Sequence, residues 1–265
     1  MTGPSLKLTV LGSGTSTGVP VLGCHCEVCS SAEPRNNRTR CSALLEWGGR
    51  TILIDTATDF RQQALREGLD HIDCVLYTHA HADHVHGIDD LRTFTLRTGT
   101  AIPIYAARGV LDRIQGLFSY IFSETDAPGY RPRLEVNEVR GPFKLFGQVV
   151  TPIPLVHGPG ESLGYRIGNL AYVVDCSAIP ESSRRLLEGL DVLVIDALRF
   201  REHDSHFTIS AAIEVARQLQ VPKTLLTHLT HDIDYPRHSA ELPEGVEFAY
   251  DGQTLTLPLP IAQEP

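Results

Sequence analysis

The sequence predicts an α/β protein in which helices cover mixed β-sheets, and three observations support this prediction. Short apolar runs typical of strands recur along the whole chain of 265 residues. Segments of helical periodicity lie between them in both halves of the chain. The hydrophobic fraction of 42% is sufficient for a substantial core, and no linker divides the chain. We therefore expect one domain over residues 1–265.

The predicted strands are short and bounded by turn residues. In chain order they are Lys7–Leu11, Ser42–Trp47, Thr51–Ile54, Cys74–Thr78, Ile102–Tyr105, Val149–Pro154, Leu163–Ile167, Ala171–Val174, Val192–Ile195 and Lys223–Thr227. A Gly48-Gly49 pair between the second and third runs is typical of a hairpin turn.

The predicted helices are Asp59–Gly68, Val110–Phe122, Glu181–Glu188 and Ile209–Leu219. The last of these has one apolar stripe, and Thr208 directly before it is suited to cap its N-terminus. Two stretches, Leu91–Gly99 and Ser123–Arg133, are expected to be loops.

Charge and the N-terminal sequence narrow the range of partners. The formal net charge of −9 disfavours non-specific binding of nucleic acid, which requires a basic surface. The N-terminus lacks the pattern of an export signal, and no apolar run approaches the length of a membrane span. We therefore expect a cytoplasmic protein that binds neither membrane nor nucleic acid.

Four candidate metal ligands follow the strand-like CVLYT within six residues: His79, His81, Asp83 and His84. We call residues 79–84 the histidine loop. Any single histidine is usually a surface or core residue, but four ligand types together after an apolar strand indicate a metal site. Imidazole and carboxylate suit zinc, manganese and iron, so the sequence leaves the metal open.

A second candidate site is the cysteine knuckle, formed by Cys24, Cys26 and Cys29 in C-x-C-x-x-C spacing. Three soft ligands at this spacing predict one structural zinc, which needs a fourth ligand. His231 is the candidate; His25 is a rival whose geometry would be strained between two bound cysteines. The alternative interpretation is three reduced surface thiols.

The histidine loop resembles the signature of the metallo-β-lactamase superfamily. This resemblance implies a four-layer αββα sandwich, made of two mixed β-sheets flanked by helices, with a two-metal site at one edge. It implies that Asp55 braces the histidine loop. The implied ligands are His79, His81 and His157 for one metal, Asp83, His84 and His228 for the second, and Asp175 between them. Two such ions can bridge a hydroxide and clamp a phosphoryl oxygen.

A narrower resemblance rests on LGSGTSTGVPVLGCHCEVC, the Arg35–Ser42 segment and the closing LTHLTH. With the knuckle and His231, these are similar to the phosphoribosyl cyclic phosphate phosphodiesterases of the carbon–phosphorus lyase pathway. The resemblance implies hydrolysis of a small cyclic phosphate or a nucleotide-like phosphodiester. It implies a histidine general acid before a helix, for which His206 is the candidate and His203 the alternative. Asp83 is also expected to orient the nucleophile.

Other members of the superfamily remain alternatives. A tRNA-processing nuclease or a thioesterase would share the metal ligands, and a protein of pyrroloquinoline quinone biosynthesis would bind metal without hydrolysis. The expected partner is a small-molecule phosphodiester, and a homodimer is the assembly that the sequence leaves open. The expected cofactors are two divalent ions in the active site (manganese, zinc or iron) and one structural zinc.

Overall fold

The computed structural model describes residues 4–123 and 129–259. Five residues of the expected loop Ser123–Arg133, residues 124–128, therefore lie outside the described residues. The described residues form two mixed sheets of seven strands each. Each sheet has an antiparallel part and a parallel part.

The first sheet is built from β1 (Ser5–Gly12), β2 (Ser42–Trp47), β3 (Arg50–Ile54), β4 (Cys74–Leu76), β5 (Ile102–Ala106), β6 (Leu134–Glu138) and β14 (Thr254–Pro258). Their order is β14-β1-β2-β3-β4-β5-β6. The pairs from β14 to β3 are antiparallel and those from β3 to β6 are parallel. The predicted hairpin joins β2 to β3, and Gly48 and Gly49 have φ of 57° and 75°, which glycine adopts at little cost.

The second sheet is built from β7 (Phe143–Leu145), β8 (Gln148–His157), β9 (Gly160–Ile167), β10 (Leu170–Val173), β11 (Val192–Asp196), β12 (Lys223–Thr227) and β13 (Val246–Phe248). Their order is β13-β12-β11-β10-β9-β8-β7. The pairs from β7 to β10 are antiparallel and those from β10 to β13 are parallel. The two sheets thus repeat one pairing pattern.

Helices cover the outer face of each sheet. They are α1 (Phe60–Glu67), α2 (Ala82–Val85), α3 (Leu91–Thr98), α4 (Arg108–Leu117), α5 (Ser119–Phe122), α6 (Glu181–Arg184), α7 (Ile209–Gln218) and α8 (Tyr235–Ser239). Short 3₁₀ turns occupy Pro34–Asn36, Ile88–Asp90 and Arg185–Leu187. The predicted cap of α7 is present, since the Thr208 hydroxyl accepts a hydrogen bond from the Ala211 N–H.

Three buried apolar clusters hold these layers together. One lies between the sheets and includes Leu8, Leu45 and Tyr172. A second packs α7 on β10 to β12, and a third packs α1 to α5 on β3 to β5. Each fully buried leucine or isoleucine contributes about 1.5–3 kcal/mol relative to an exposed one. This is the predicted four-layer αββα sandwich.

Several predicted elements differ from the structure. The strands β6, β7, β13 and β14 were not predicted. Most residues of β6 and β14 are exposed or half-buried, and β7 and β13 have only three residues each, so none of the four has a strong apolar pattern. The loop expected at Leu91–Gly99 is wrong, because Leu91–Thr98 forms α3 with Leu91, Phe94 and Thr95 buried. The single helix expected at Val110–Phe122 is divided at Phe118, which leaves helical geometry with φ −116°.

Among the described residues, the structure contains no helix whose length and apolar character would let it cross a membrane.

Candidate metal centre

The chemistry-bearing side chains follow the carboxyl ends of strands from both sheets. Asp55 follows β3, the histidine loop follows β4, and His228 follows β12. Asp55 and His228 have φ of 60° and 63°, a left-handed conformation that residues other than glycine rarely adopt. Such conformations persist where the surroundings fix them, and they concentrate at functional sites.

Asp55 braces the histidine loop from beneath. It is fully buried, and its Oδ1 accepts a hydrogen bond of 2.8 Å from the Thr78 N–H. Its Oδ2 accepts from the Thr78 hydroxyl at 2.8 Å and from His84 Nδ1 at 2.7 Å. Burial raises the pKa of the Asp55 carboxyl. Because Asp55 holds the Nδ1 proton of His84, the Nε2 atom of that ring is the nitrogen that can bind a metal.

Three histidines converge in a first ligand group, His79, His81 and His157. The Thr78 hydroxyl donates to Asp55, so the contact of 3.0 Å between Thr78 Oγ1 and His79 Nδ1 has the imidazole as donor. Similarly, His157 Nδ1 donates to the Ser205 carbonyl at 2.8 Å. The Nε2 atoms of His79 and His157 lie 2.9 and 3.3 Å from His81 Nδ1. Nitrogens that share one zinc ion lie about 3.3 Å apart, given bonds of about 2.0–2.1 Å.

A second ligand group consists of Asp83, His84, Asp175 and His228. Asp175 Oδ2 lies 3.3 Å from His84 Nε2 and 3.4 Å from His228 Nε2. The same oxygen lies 3.7 Å from His79 Nε2 and 4.0 Å from His157 Nε2, so it reaches the first group as well. Asp175 therefore occupies the position between the two groups.

Buried polar atoms without hydrogen-bond partners are concentrated in this second group. They include Asp83 Oδ2, His84 Nε2, Asp175 Oδ1 and both ring nitrogens of His228. A buried polar atom left unpaired costs about 1–3 kcal/mol, and more when it is charged. These buried oxygen and nitrogen atoms are suited to bind divalent cations, and binding would give them the partners that they lack.

Electrostatics also favour cations here. Burial lowers the pKa of His79 well below its usual value, and lowers the pKa of His81 and His157 too, so these rings present lone pairs. Burial alone would raise the pKa of Asp175, but His228 and His84 hold it well below the usual value. The neutral imidazoles of the first group and the buried carboxylate of Asp175 are ligands suited to zinc, manganese or iron.

His206 lies beside both ligand groups and is held by Asp196 at the end of β11. His206 Nδ1 donates to Asp196 Oδ2 at 2.6 Å, and the same oxygen accepts from the Cys176 N–H at 2.9 Å. The His206 ring stacks on His228 with centroids 4.6 Å apart and lies 4.9 Å from the ring of His157. His203 is exposed, and its Nδ1 accepts from the Ser205 N–H. Of the two candidate histidines, His206 is the one held against the ligand groups.

Asp196 was missed in the sequence analysis, although a signal was available. The runs TILID and AYVVD place Asp55 and Asp175 directly after apolar residues, and VLVID places Asp196 in the same way. Asp196 is fully buried, and with Asp175, His206 and His228 it completes a third set of potential ligands.

The cysteine knuckle closes around His231. Its Nδ1 lies 3.4, 3.5 and 3.4 Å from the sulfurs of Cys24, Cys26 and Cys29. In a tetrahedral zinc site, Zn–S bonds of about 2.3 Å and Zn–N bonds of about 2.0–2.1 Å place sulfur and nitrogen about 3.6 Å apart. The distances in the knuckle therefore fit zinc. The pKa of the Cys26 thiol is lowered to about 7, chiefly because the Cys29 N–H donates to its sulfur. His25 is exposed and is not part of this cluster.

A buried arginine ties the knuckle region to the active-site segment. Arg38 is 1% exposed, and its guanidinium donates to the carbonyls of Thr230 and Ile233 at 3.1 and 2.7 Å, on either side of His231. Its neighbour Arg35 remains at the surface and pairs with Glu33.

A cavity of about 640 Å³ opens beside the first ligand group. His79, His81 and His157 form part of its wall, and the rest includes residues of α4, of β8 and β9 and the turn between them, and Ser205. Its volume is within the range of about 300–1,000 Å³ that is usual for small-molecule sites.

Comparison with known proteins decides the family. A family profile described as beta-lactamase superfamily domain matches residues 50–229. A solved structure described as a new diphosphatase from the PhnP family is 41% identical, with a TM-score of 0.91, over 96% of this chain and 98% of that chain. The chain belongs to the beta-lactamase superfamily and, within it, to the PhnP family. It is thus a hydrolase of the metallo-β-lactamase fold, and this fold implies divalent metal ions.

Two curated relatives have names that indicate other functions. A Porphyromonas gingivalis protein named octanoyltransferase is 42% identical over 252 residues, which are 93% of this chain and 51% of that protein. The chain spans about half the length of this relative. A coenzyme PQQ synthesis protein B from Methylorubrum extorquens is 27% identical, over 95% of this chain and the whole of that protein. The match to the PhnP-family structure thus covers nearly all of both chains, whereas the match to the octanoyltransferase covers about half of that protein.

Proposed function

We propose that this chain is a metal-dependent phosphodiesterase that hydrolyses a small cyclic phosphate or a nucleotide-like phosphodiester. The observation that carries the proposal is the pairing of His206 with Asp196 against the two ligand groups. Ester hydrolysis requires a proton for the leaving oxygen, whereas a protein that only binds metal has no need of a held acid.

The ligand groups would hold two divalent ions. His79, His81 and His157 would bind one and Asp83, His84 and His228 the other, with Asp175 shared. When bound, such ions lower the pKa of a water molecule and stabilise negative charge on a phosphoryl group. Cys24, Cys26, Cys29 and His231 would hold one structural zinc apart from the chemistry.

The protein side chains supply orientation and the proton. Asp196 holds the Nδ1 proton of His206, so Nε2 is the atom from which a proton would pass to the leaving oxygen. The unpartnered Asp83 Oδ2 would accept a hydrogen bond from the attacking water and orient it. Asp55 and Thr78 fix the rings of His84 and His79, so the ligands need no reorganisation on binding.

A second candidate is hydrolysis of a diphosphate. It is favoured by the PhnP-family neighbour at 41% identity, which is described as a diphosphatase. The two reactions share the attack of water on phosphorus and differ in the leaving group. A phosphate leaving group is far less basic than an alkoxide, so it depends less on a general acid. Transfer of an octanoyl group is not part of this proposal, because about half of the relative with that name is unmatched.

The test is hydrolysis of bis(p-nitrophenyl) phosphate by manganese-loaded protein, beside a symmetrical dinucleoside diphosphate. Asp175→Ala is the inactive variant, and Asp112→Ala, an exposed aspartate of α4, is the matched control. We expect turnover of the diester by the wild type and Asp112→Ala, and none by Asp175→Ala. Turnover of the diphosphate alone would favour the second candidate. Turnover of neither by metal-replete protein would refute both.

A further inference from the structure

His228 differs from His84 and His157 in what holds its ring. His84 Nδ1 donates to Asp55, and His157 Nδ1 donates to the Ser205 carbonyl. Among the described residues, neither ring nitrogen of His228 has a hydrogen-bond partner, although the residue is only 1% exposed. The orientation of this ligand must therefore come from its backbone and from the rings that pack on it.

The backbone of His228 is held by the residue that follows it. His228 has φ of 63°, a conformation that persists where surrounding contacts fix it. The N–H of the buried Leu229 donates to the Ser13 carbonyl at 2.9 Å, and the Leu229 carbonyl accepts from the Thr15 N–H at 3.2 Å. Two residues further along, His231 belongs to the cysteine knuckle. Residues 13–15, which we call segment 13–15, therefore support the chain that joins the two sites.

Segment 13–15 is also fixed on its other side. The Gly14 N–H donates to the Thr39 carbonyl at 2.8 Å. A Cβ atom on Gly14 would lie only 2.7 Å from the carbonyl oxygen of Arg38, so only glycine permits this close approach. The position of Leu229 thus depends on the spacing between segment 13–15 and residues 38–40.

Asp251, in the turn between β13 and β14, holds both of these segments. Its side chain is only 10% exposed. Oδ1 accepts from the N–H and the hydroxyl of Ser13 at 2.9 and 2.8 Å, and Oδ2 accepts from the Thr39 N–H at 2.9 Å. Arg66 of α1 also donates to Oδ2, at 3.2 Å. Backbone N–H groups can only donate, so both oxygens act as acceptors, as in an ionised carboxylate.

We propose that Asp251 is a positioning residue for both metal sites. It fixes segment 13–15 against residues 38–40, this segment fixes Leu229, and Leu229 fixes the ligands His228 and His231 on either side of it. Asp251 itself belongs to none of the ligand groups, and the first group lies outside this path. The inference rests on the metal sites of the proposed function, but its test measures metal binding rather than turnover.

Cadmium NMR of the variant Asp251→Asn tests this role. Bound cadmium should give a separate resonance at each site, because its shift depends on whether sulfur, nitrogen or oxygen binds it, and His81→Ala identifies the resonance of the first group. Asparagine has one acceptor oxygen, so either Ser13 or Thr39 loses its acceptor. In competition with a chelator, we expect the affinity of the knuckle and of the second group for cadmium to fall by about tenfold, the lower end of the range usual for residues that orient a ligand. The affinity of the first group should not change.

Asp73→Asn is the matched control. Asp73 is a comparable carboxylate with a side chain 16% exposed, which accepts from the Thr51 N–H at 2.7 Å and pairs with Arg50. It belongs to none of the ligand groups. We expect Asp73→Asn to lower the free energy of unfolding while all three cadmium affinities stay as in the wild type.

Ser13→Ala is a milder variant for the case that Asp251→Asn does not fold. It removes one hydroxyl bond to Asp251 and keeps the backbone donor, so it should weaken the same two sites by a smaller factor. Equal losses at all three sites, or no loss in either folded variant, would overturn the positioning role. A wild type that binds cadmium only at the knuckle would refute the two-ion site of the proposed function, and the role of Asp251 at His228 would fall with it.

Discussion

Asp196 Oδ2 accepts a hydrogen bond of 2.6 Å from His206 Nδ1, at the edge of the sandwich where the strands of both sheets end. The bond fixes which nitrogen of His206 is available, and the stacking of His206 on His228 fixes where the ring lies. As the proposed general acid, His206 would serve a reaction that expels a basic leaving group. The pair thus connects the fold to the proposed chemistry.

The dependence on the leaving group tests the role of His206. We expect His206→Ala to slow esters with alkoxide leaving groups by about a hundredfold or more, since general acid catalysis contributes about 10²–10⁴-fold. Nitrophenyl esters should be slowed far less, because their leaving groups need no proton. The measurement is a plot of log kcat/KM against the pKa of the leaving group. His203→Ala is the control, and a steeper plot for His203→Ala than for His206→Ala would exchange the two roles.

Removing the brace beneath the histidine loop should weaken metal binding. Asp55→Ala would release His84 Nδ1 and the Thr78 hydroxyl together. Loss of such a partner typically costs about 10–100-fold in metal affinity. Competition with a chromophoric chelator measures this affinity, with Asp59→Ala, a half-buried aspartate outside the ligand groups, as control. Unchanged affinity in Asp55→Ala would contradict the bracing role.

The knuckle and the active site should be coupled through the two residues of chain that join His228 to His231. His228 belongs to one site and His231 to the other, and the Leu229 N–H between them donates to the Ser13 carbonyl at 2.9 Å. We expect Cys26→Ser to release the structural zinc and to lower kcat as well, because His228 loses its support. Zinc content and phosphodiesterase activity are measured on the same sample, with Cys74→Ser outside both sites as control. Full activity after loss of zinc would show that the two sites are independent.

Arg38 should stabilise this segment. Arg38→Met would leave the Thr230 and Ile233 carbonyls without their donor, at a cost of about 2–4 kcal/mol in the free energy of unfolding. Burial lowers the pKa of Arg38 to about 10, so the guanidinium remains charged at neutral pH. Denaturant titration measures the free energy of unfolding of Arg38→Met and of the control Arg35→Met at the surface. The control should change this free energy by less than about 0.5 kcal/mol. Equal stabilities for the two variants would contradict a structural role for Arg38.

Much of the fold and the site could be predicted from the sequence, because the ligand residues follow strong apolar strands. Ser42–Trp47 and Lys223–Thr227 have the predicted bounds, and the family and sandwich predictions are confirmed. The short or exposed strands β6, β7, β13 and β14 lack a pattern of their own, and they form by pairing with neighbours. The metal ligation of the predicted residues stays a prediction, although the structure brings them together.

What the sequence could not provide is the set of contacts that fixes each ring. For example, His157 Nδ1 donates a hydrogen bond to the carbonyl of Ser205, which is 48 residues away in the chain. No local pattern predicts such a partner, because it depends on how the two sheets meet. The burial of Arg38 is similar: a charged residue between a knuckle and a strand is usually at the surface, and only the carbonyls around His231 explain its position.

A metal titration tests whether the active site works with two divalent ions. Protein with an intact zinc knuckle and an emptied active site is titrated with manganese while hydrolysis of bis(p-nitrophenyl) phosphate is followed. We expect activity to rise until two equivalents of manganese are bound per chain and then to stay constant, and we expect Asp175→Ala to stay inactive throughout. Activity that saturates at one equivalent, or no activity at any loading, would contradict this expectation.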